Sequence, residues 1–384
     1  MLFINANILT MDTDPIENGF VKTAGGKISE VGPMEQLKPP KNAKTTDLSG
    51  KLLMPGFIDA HCHLGLFEEG LGVEGDDLNE DTDPVSPHIR ALDGINPFDR
   101  GFDEARSSGT TCVVVSPGSA NPVAGQICAL KTTGRWIDKM LVAQPLAIKF
   151  ALGENPKMVY GNKAQTPVTR MATVAIIREQ LHKAQRYLEQ SLRAAEDPEI
   201  DKPDFDARLE ALVPVLKRET RAHFHAHKTY DILSAVRIAK EFSLDYTIIH
   251  CTEGHLIADI LGSLNARVIC GPLLAARTKP ELTNLTGESC GVMAKAGVTV
   301  AVSTDYPEMP PGLLAASAAF AAVNGMDRFD ALSAITINAA RAVGLEDRLG
   351  SITAGKDADF LVFGDDPLKV GVKPEAVFIN GKRL

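Results

Sequence analysis

Two histidines separated by a single residue, His61 and His63, suggest metal chemistry in this sequence. They end an apolar run, FIDAHCHL (57–64), that is typical of a β-strand, and residues i and i+2 of a strand point to the same face. Two imidazoles on one face suit zinc or a similar divalent cation. Asp59 shares their parity and could help to orient them. Because ordinary hydrogen-bonded histidines also occur at this spacing, the metal interpretation depends on other residues that converge with the pair.

Imidazole and carboxylate groups also stand at the ends of other candidate strands. The run RAHFHAH (221–227) carries three histidines of one parity, the next candidate strand ends at His250, and the last ends at Asp305. Histidines scattered through a core would not cluster in this way. Because the active sites of parallel barrels lie at the C-terminal ends of the strands, we expect these groups to meet at one rim.

Lys149 stands inside another apolar run, PLAIKFAL (145–152), where an unpaired ammonium group is unfavourable. One interpretation is a buried ion pair with a carboxylate. The other is an amine whose pKa is lowered by desolvation and which reacts with carbon dioxide to form a carbamate. A carbamate is an anion with two oxygens and can bridge two metals. The residues alone leave both interpretations open.

Eight apolar, β-rich runs alternate with helical stretches through the middle of the chain. This alternation predicts an α/β fold with a parallel (β/α)8 TIM barrel. The candidate strands are residues 57–64, 111–117, 127–133, 145–152, 221–227, 245–252, 266–272 and 298–305, and the helical stretches include 169–198, 231–243 and 327–343. A doubly wound open sheet is the competing architecture. The barrel is preferred because the count reaches eight and polar residues gather at strand ends.

Short strands with glycine-rich turns occur at both ends of the chain. They predict a small β-sandwich domain formed by residues 1–52 and 348–384, with the barrel of residues 53–347 inserted between its halves. Two long loops, 65–100 and 153–168, follow the first and fourth candidate strands of the barrel. Loops of this length in a compact domain more often have a function than serve only as connections between elements.

Composition excludes several classes of protein. The formal net charge of the 384 residues is −9, whereas a nucleic-acid-binding chain is expected to be basic. No apolar stretch is long enough to predict a membrane span, and the N-terminus is typical of a strand and not of a signal peptide. The six cysteines are scattered, which argues against a disulfide framework. We therefore expect a cytoplasmic protein that acts on a small-molecule substrate.

Two segments carry a resemblance to a known family. FIDAHCHL, preceded by LLMPG, resembles the PGFIDxHxH signature of the amidohydrolase superfamily, and TINAARAVGLEDRLGSITAGKDADFLVF resembles the C-terminal signature of that superfamily. The resemblance spans nearly the whole chain. Within the superfamily, the chain is most similar to the branch of imidazolonepropionase-related and prolidase-like hydrolases.

The resemblance implies a divalent metal centre, with two zinc ions as the expectation and one metal as the alternative. The implied ligands are His61, His63, Lys149, His225, His250 and Asp305. The first two histidines and Asp305 would bind the more buried metal. His225 and His250 would bind the second metal, and carbamylated Lys149 would bridge the two.

Three further residues are predicted substrate contacts: Tyr160, Arg170 and His227. Arg170 could pair with a substrate carboxylate or brace the helix that starts beside it, and both interpretations are open. His223 has the parity of His225. His225 is chosen as the ligand because it lies nearer the strand end and matches the family pattern HA[HDY].

These parts predict metal-dependent hydrolysis of an amide C–N bond in a small molecule such as a dipeptide, an N-acyl amino acid or a cyclic amide. A metal-bound hydroxide would attack, with Asp305 as the proton shuttle. A mononuclear deaminase of a heterocycle is one alternative, disfavoured because HAHKTYD lacks an HxxE pattern. A non-catalytic barrel is another. A homo-oligomer is compatible with the sequence because superfamily members commonly associate.

Overall fold

The computed structural model describes residues 1–38 and 44–384. The strands in these ranges are β1 (Leu2–Ile8), β2 (Ile16–Ala24), β3 (Lys27–Pro33), β4 (Thr45–Asp47), β5 (Leu52–Pro55), β6 (Phe57–Cys62), β7 (Thr110–Val115), β8 (Val123–Lys131), β9 (Leu141–Ala151), β10 (Arg221–Ala226), β11 (Tyr246–His250), β12 (Arg267–Cys270), β13 (Thr299–Val302), β14 (Phe360–Phe363), β15 (Ala376–Ile379) and β16 (Lys382–Arg383).

The α-helices in the same ranges are α1 (Ala91–Gly94), α2 (Gly101–Ser107), α3 (Ile137–Met140), α4 (Glu154–Asn162), α5 (Arg170–Glu196), α6 (Ala207–Leu216), α7 (Thr229–Glu241), α8 (Ala258–Ser263), α9 (Ser289–Lys295), α10 (Leu314–Val323), α11 (Arg328–Ser333) and α12 (Ile337–Val343). The predicted loop 153–168 thus contains a helix, α4. Its Pro and Gly residues are poor helix formers, so the sequence indicates a loop there. Within the described ranges, no helix combines the length and the apolar character that crossing a bilayer requires.

Strands β6 to β13 form one eight-stranded sheet in chain order. Strand pairs β6/β7 and β9 through β13 are parallel, but β8 runs antiparallel to both of its neighbours. The prediction of eight strands is confirmed, whereas the prediction that all are parallel is wrong at β8. Parallel neighbours need a crossover of a dozen or more residues, and only residues 116–122 separate β7 from β8. A hairpin is the connection that such a short segment allows.

The first and last strands of this sheet, β6 and β13, meet at their C-terminal ends, where Asp305 N donates to His61 O at 3.2 Å. Lower down, Val302 N and Ile58 N donate to the carbonyls of segment 334–335 at 2.9 and 2.8 Å. This segment divides the predicted helix 327–343 into α11 and α12, because its backbone bonds to strands instead of continuing a helix. The result is a nearly closed barrel.

Alternate residues of a barrel strand face the interior and the surrounding helices. On β10, Phe224 faces outward, stacks on Phe150 of β9 at 5.0 Å and packs in one apolar cluster with Ile177 of α5. His223 and His225, of the opposite parity, are buried toward the interior. Burial of the apolar face therefore fixes the register that points the histidines inward.

Both chain ends contribute to a second sheet, with the order β16-β15-β14-β5-β1-β2-β3 and with β4 paired to β1. Phe3 lies at its centre, with ring centroids 5.6 Å from Phe360 and 4.9 Å from Phe378. The strands of the two ends thus meet in a single sheet, which also includes β5. The predicted sandwich is not confirmed, and the predicted domain boundaries stay predictions.

A buried ion cluster links the barrel to this second sheet. Lys131, at the end of β8, has its Nζ 2.9 Å from Asp357 Oδ2 and also bonds to the carboxylate of Asp359. Arg348 Nε lies 3.0 Å from Asp357 Oδ2. Lys131 is the only cation within ion-pair distance of Asp359 among the described residues. Because buried charges are tolerated only when they are paired, Lys131 holds the segment that leads into β14.

Replacing Lys131 with methionine should lower the free energy of unfolding by about 3 to 5 kcal/mol, because Asp359 would stay buried without a cation. Urea denaturation measures the change. Lys369→Met, which breaks the exposed ion pair with Asp365 (2.6 Å), is the matched control and should change little. Equal stability of Lys131→Met and wild type would contradict this role.

Candidate metal centre

The first donor cluster comprises His61, His63 and Asp305, all buried at the C-terminal ends of β6 and β13. Asp305 Oδ1 lies 3.4 Å from His61 Nε2 and 3.5 Å from His63 Nε2. The carbonyl oxygen of Ser116 lies 2.6 Å from His63 Nδ1. A carbonyl only accepts, so this nitrogen carries the proton and Nε2 keeps a free lone pair.

The second donor cluster comprises His225, His227 and His250, whose ligand atoms lie within 4.8 Å of one another. The Nδ1 atom of each ring contacts a fixed oxygen: Ser119 Oγ at 2.9 Å, Thr252 Oγ1 at 2.8 Å and Gly271 O at 2.7 Å, respectively. Partners of this kind orient the rings of metal-binding histidines. The Gly271 carbonyl only accepts, so Nδ1 of His250 carries the proton and its Nε2 keeps a free lone pair, while the two hydroxyls orient the rings of His225 and His227.

The two clusters adjoin. His250 Nδ1 lies 3.9 Å from Asp305 Oδ2, and the His61 and His250 rings are 5.5 Å apart. His250 and Asp305 both have left-handed backbones, with φ of 70° and 54°. Residues with side chains adopt this region only where the surroundings hold them, often at functional sites. The chain therefore turns sharply where it delivers the two residues that connect the clusters.

Burial keeps four of these imidazoles uncharged. It lowers the pKa of His250 to about 4 and holds the pKa of His61, His225 and His227 well below the usual value. Neutral imidazole is the form that binds metal ions, so the rings are ready as ligands at neutral pH.

Unpartnered buried atoms indicate what the clusters would accept. Among the described residues, His225 Nε2 and His227 Nε2 have no hydrogen-bond partner, and both atoms belong to the second cluster. Leaving buried polar atoms unsatisfied costs about 1 to 3 kcal/mol each. Imidazole nitrogens beside a carboxylate form the donor set that zinc and similar divalent cations prefer. The residues present therefore fit a divalent metal centre.

Lys149 lies beneath the first cluster, fully buried, with its Nζ 3.3 Å from His61 Nε2. Burial lowers the pKa of its amine to about 7. Within the described part of the chain, no carboxylate oxygen lies within the 4.0 Å of an ion pair with this amine. The structure thus gives no support to the buried ion pair.

Tyr160 and Arg170, two predicted substrate contacts, do not line the cavity at this rim. Tyr160 is buried and donates to Asn121 Oδ1 at 2.6 Å. Arg170 Nε donates to Asp231 Oδ1 at 3.0 Å, so the bracing interpretation describes it better. The geometry gives no support to either residue as a substrate contact.

His227 lines the cavity, as its predicted contact with substrate requires, but it also belongs to the second cluster. His223 is fully buried, and its ring has no hydrogen-bond partner within residues 1–38 and 44–384. It pairs in register with Lys149, deeper in the barrel than His225. Of the two histidines of equal parity on β10, His225 is therefore the one that joins the cluster at the rim.

Glu281 is a residue of the site that no sequence pattern predicts. It lies in a short 3₁₀ turn, Pro280–Leu282, after β12, and it is buried. Its Oε2 lies 3.5 Å from His227 Nε2. A single glutamate in a polar loop resembles any surface charge, so only the folded arrangement distinguishes it.

The two clusters open into a cavity of about 210 Å³. Its lining residues are His63, Leu78, Asn79, Gly118, Ser119, Asn155, His225, His227, His250, Pro272, Thr278, Lys279, Leu282, Asp305, Pro307 and Glu308. Among the described residues of this lining, Lys279 is the one with a permanent positive charge. The cavity is suited to a small polar molecule.

Known proteins resemble the chain along its full length. The Amidohydrolase family model matches residues 288–384. The crystal structure of an amidohydrolase from Thermotoga maritima MSB8 is 40% identical, covers 100% of this chain and 99% of its own, and has a TM-score of 0.94. A solved prolidase, 20% identical over 100% of this chain and 98% of its own with a TM-score of 0.64, shares the fold.

Two curated relatives match by sequence. An imidazolonepropionase of Pseudomonas putida (strain GB-1) is 26% identical over 91% of this chain and 88% of its own length. The amidohydrolase tasK of Hapsidospora irregularis is 29% identical over 95% of this chain, but the match spans only 39% of that longer protein. The resemblance to the superfamily, and to its imidazolonepropionase and prolidase branch, is confirmed.

Acid should destabilise the metal-free protein as the pH falls from about 7 to about 4. In the fold the pKa of His223 is about 3 and that of His250 about 4, both below the usual 6.5 because of burial. The unfolded chain therefore binds more protons in this range, and the stability present at neutral pH is lost on acidification. Thermal melting across this range measures the loss. The His223→Leu variant should lose less stability over this pH range than the wild type. An equal loss in both proteins would contradict the lowered pKa of His223.

Proposed function

The chain belongs to the amidohydrolase family, and from this premise we propose that it hydrolyses an amide C–N bond in a small molecule. Dipeptides, N-acyl amino acids and cyclic amides are the substrate classes. The observation that carries the proposal is the meeting of two donor clusters at one cavity, with Asp305 within 3.9 Å of histidines from both. Such an arrangement suits a pair of divalent cations beside a reacting carbonyl group.

The proposed ligands follow the two clusters. His61, His63 and Asp305 would hold one cation, and His225 and His250 would hold the other. When bound, divalent cations polarise a carbonyl oxygen and make hydroxide available near neutral pH. Zinc is the proposed metal because the donors are mainly imidazoles.

Lys149 is the proposed bridge between the two cations. Its amine is fully buried and, with a pKa of about 7, about half unprotonated at neutral pH and increasingly so above it. An unprotonated Nζ can bond to the carbon of carbon dioxide and release one proton, which leaves a carbamate anion. The new anion would satisfy the cations better than an ammonium group, which would repel them.

Asp305 is the proposed proton shuttle. It lines the cavity, and its carboxylate is positioned by His61 and His63. As water attacks the carbonyl carbon, Asp305 accepts a proton from the water. It then delivers this proton to the leaving nitrogen, the C–N bond breaks, and a carboxylic acid and an amine result.

Lys279 favours substrates that carry a carboxylate. It lines the cavity, and its Nζ lies 3.5 Å from Asn155 Oδ1. An ammonium group at this place can pair with the carboxylate of a dipeptide or an N-acyl amino acid. Both substrate classes place that carboxylate a few bonds from the amide to be cleaved.

A screen of metal-loaded protein against N-acyl amino acids, dipeptides, their matching C-terminal amides and cyclic amides tests the proposal. Carboxylate-bearing substrates should be preferred. Lys279→Met should raise their KM at least about tenfold, since hydrogen bonds to charged groups contribute about 1.5 to 3 kcal/mol. The KM of the neutral amides is the internal control and should not change. No hydrolysis of any of these amides would refute the proposed function.

Asp305→Asn should lower kcat roughly 100- to 10,000-fold, because the amide cannot accept the proton from water. Bound metal should be retained, since the amide oxygen can still serve as a ligand. Steady-state kinetics and plasma emission analysis of the same preparation measure both quantities. Unchanged turnover would remove Asp305 from the proposed mechanism.

A further inference from the structure

Glu281 occupies a place that is built to receive its carboxylate. Its Oε1 accepts a hydrogen bond from the backbone N–H of Glu154, and the backbone N–H of Glu281 donates to Glu154 Oε2 at 3.3 Å. Gly153, at φ +91°, lies against this carboxylate, and a Cβ there would be only 2.8 Å from Oε1. The segment after β9 thus fixes one carboxylate oxygen and leaves the other free.

The free oxygen, Glu281 Oε2, points at the second donor cluster. It lies 3.5 Å from His227 Nε2 and 3.9 Å from His225 Nε2. All three atoms are buried, and none has a hydrogen-bond partner in the described part of the chain. Zinc holds oxygen and nitrogen ligands at about 2.0 to 2.2 Å, so two ligands of one tetrahedral ion lie about 3.4 Å apart. The observed separations are close to that value.

A direct hydrogen bond between His227 and Glu281 would be the simplest competing explanation. The two side chains approach to 3.5 Å, but the contact does not meet the geometry of a hydrogen bond, and both atoms stay unsatisfied. Nor does such a bond involve His225, whose Nε2 also lacks a partner. A single cation satisfies all three atoms at once.

We propose that Glu281 is a ligand of the second cation, together with His225, His227 and His250. The inference rests on the proposed function only in requiring a divalent cation at this cluster. It makes His227 a metal ligand instead of a substrate contact. It also gives the second cation four ligands from the protein, so that its binding does not require a carbamate on Lys149.

Zinc binding by the metal-free protein tests this assignment, measured by equilibrium dialysis with plasma emission analysis. Glu281→Gln keeps the shape of the side chain but removes its charge, and it should weaken one zinc equivalent at least about tenfold. His227→Gln should weaken the same equivalent. Glu308→Gln, which removes an exposed carboxylate from the same cavity, is the matched control and should bind zinc as wild type does.

Wild-type affinity for every zinc equivalent in Glu281→Gln would overturn the assignment, and so would wild-type affinity in His227→Gln. Circular dichroism confirms folding, and Glu281→Asp, which retracts the carboxylate by one methylene, replaces Glu281→Gln if the latter unfolds. It should weaken the same equivalent. If the wild type cleaves no amide but the variants still lose zinc, the assignment stands and only the proposed reaction fails.

Discussion

The contact of Asp305 with His61, across the junction of the first and last barrel strands, underlies both the fold and the site. The Asp305 backbone donates to the His61 carbonyl at 3.2 Å, and its carboxylate lies 3.4 Å from the His61 ring. The same pair of residues therefore closes the barrel rim and forms the first donor cluster. An open sheet would leave these residues at opposite edges.

Support for this contact comes from the residues behind it. Asp59, which the strand parity marks as a helper, is fully buried and accepts a hydrogen bond from Thr304 N at 3.1 Å. It thereby ties β6 to the residue just before Asp305. Beneath it, Lys149 fills the barrel interior, and burial lowers the pKa of its amine to about 7. Buried polar groups behind the Asp305–His61 contact thus hold the rim in place.

Strand parity and strand ends made the donor residues predictable. The period of two places His61 with His63 and His225 with His227, and parallel topology brings strand ends to one rim. Parity could not separate His223 from His225, since depth along the barrel depends on register with β9. Parity also could not show that β8 is antiparallel, because the alternation of side chains along a strand is the same in either direction.

Residues on loops were harder to predict. Lys279 reaches the cavity, and Glu281 reaches the second donor cluster, only because the segment after β12 folds back against the segment after β9. The sequence around these two residues has no periodic pattern. Arg170 was left with two interpretations by the sequence for a similar reason. Its position beside a long loop suggested a substrate contact, but the nearer carboxylate of Asp231 binds it at 3.0 Å. Tertiary contacts over long separations decide such roles, and a local pattern does not contain them.

Anomalous diffraction at the zinc absorption edge, from crystals of the zinc-loaded protein, tests the account most directly. We expect two peaks at the barrel rim and carbamate density on the Lys149 amine. One peak should lie among His61, His63 and Asp305, and the other among His225, His227 and His250. A rim without zinc would contradict the metal centre itself. A single peak above an unmodified lysine would contradict the bridged pair.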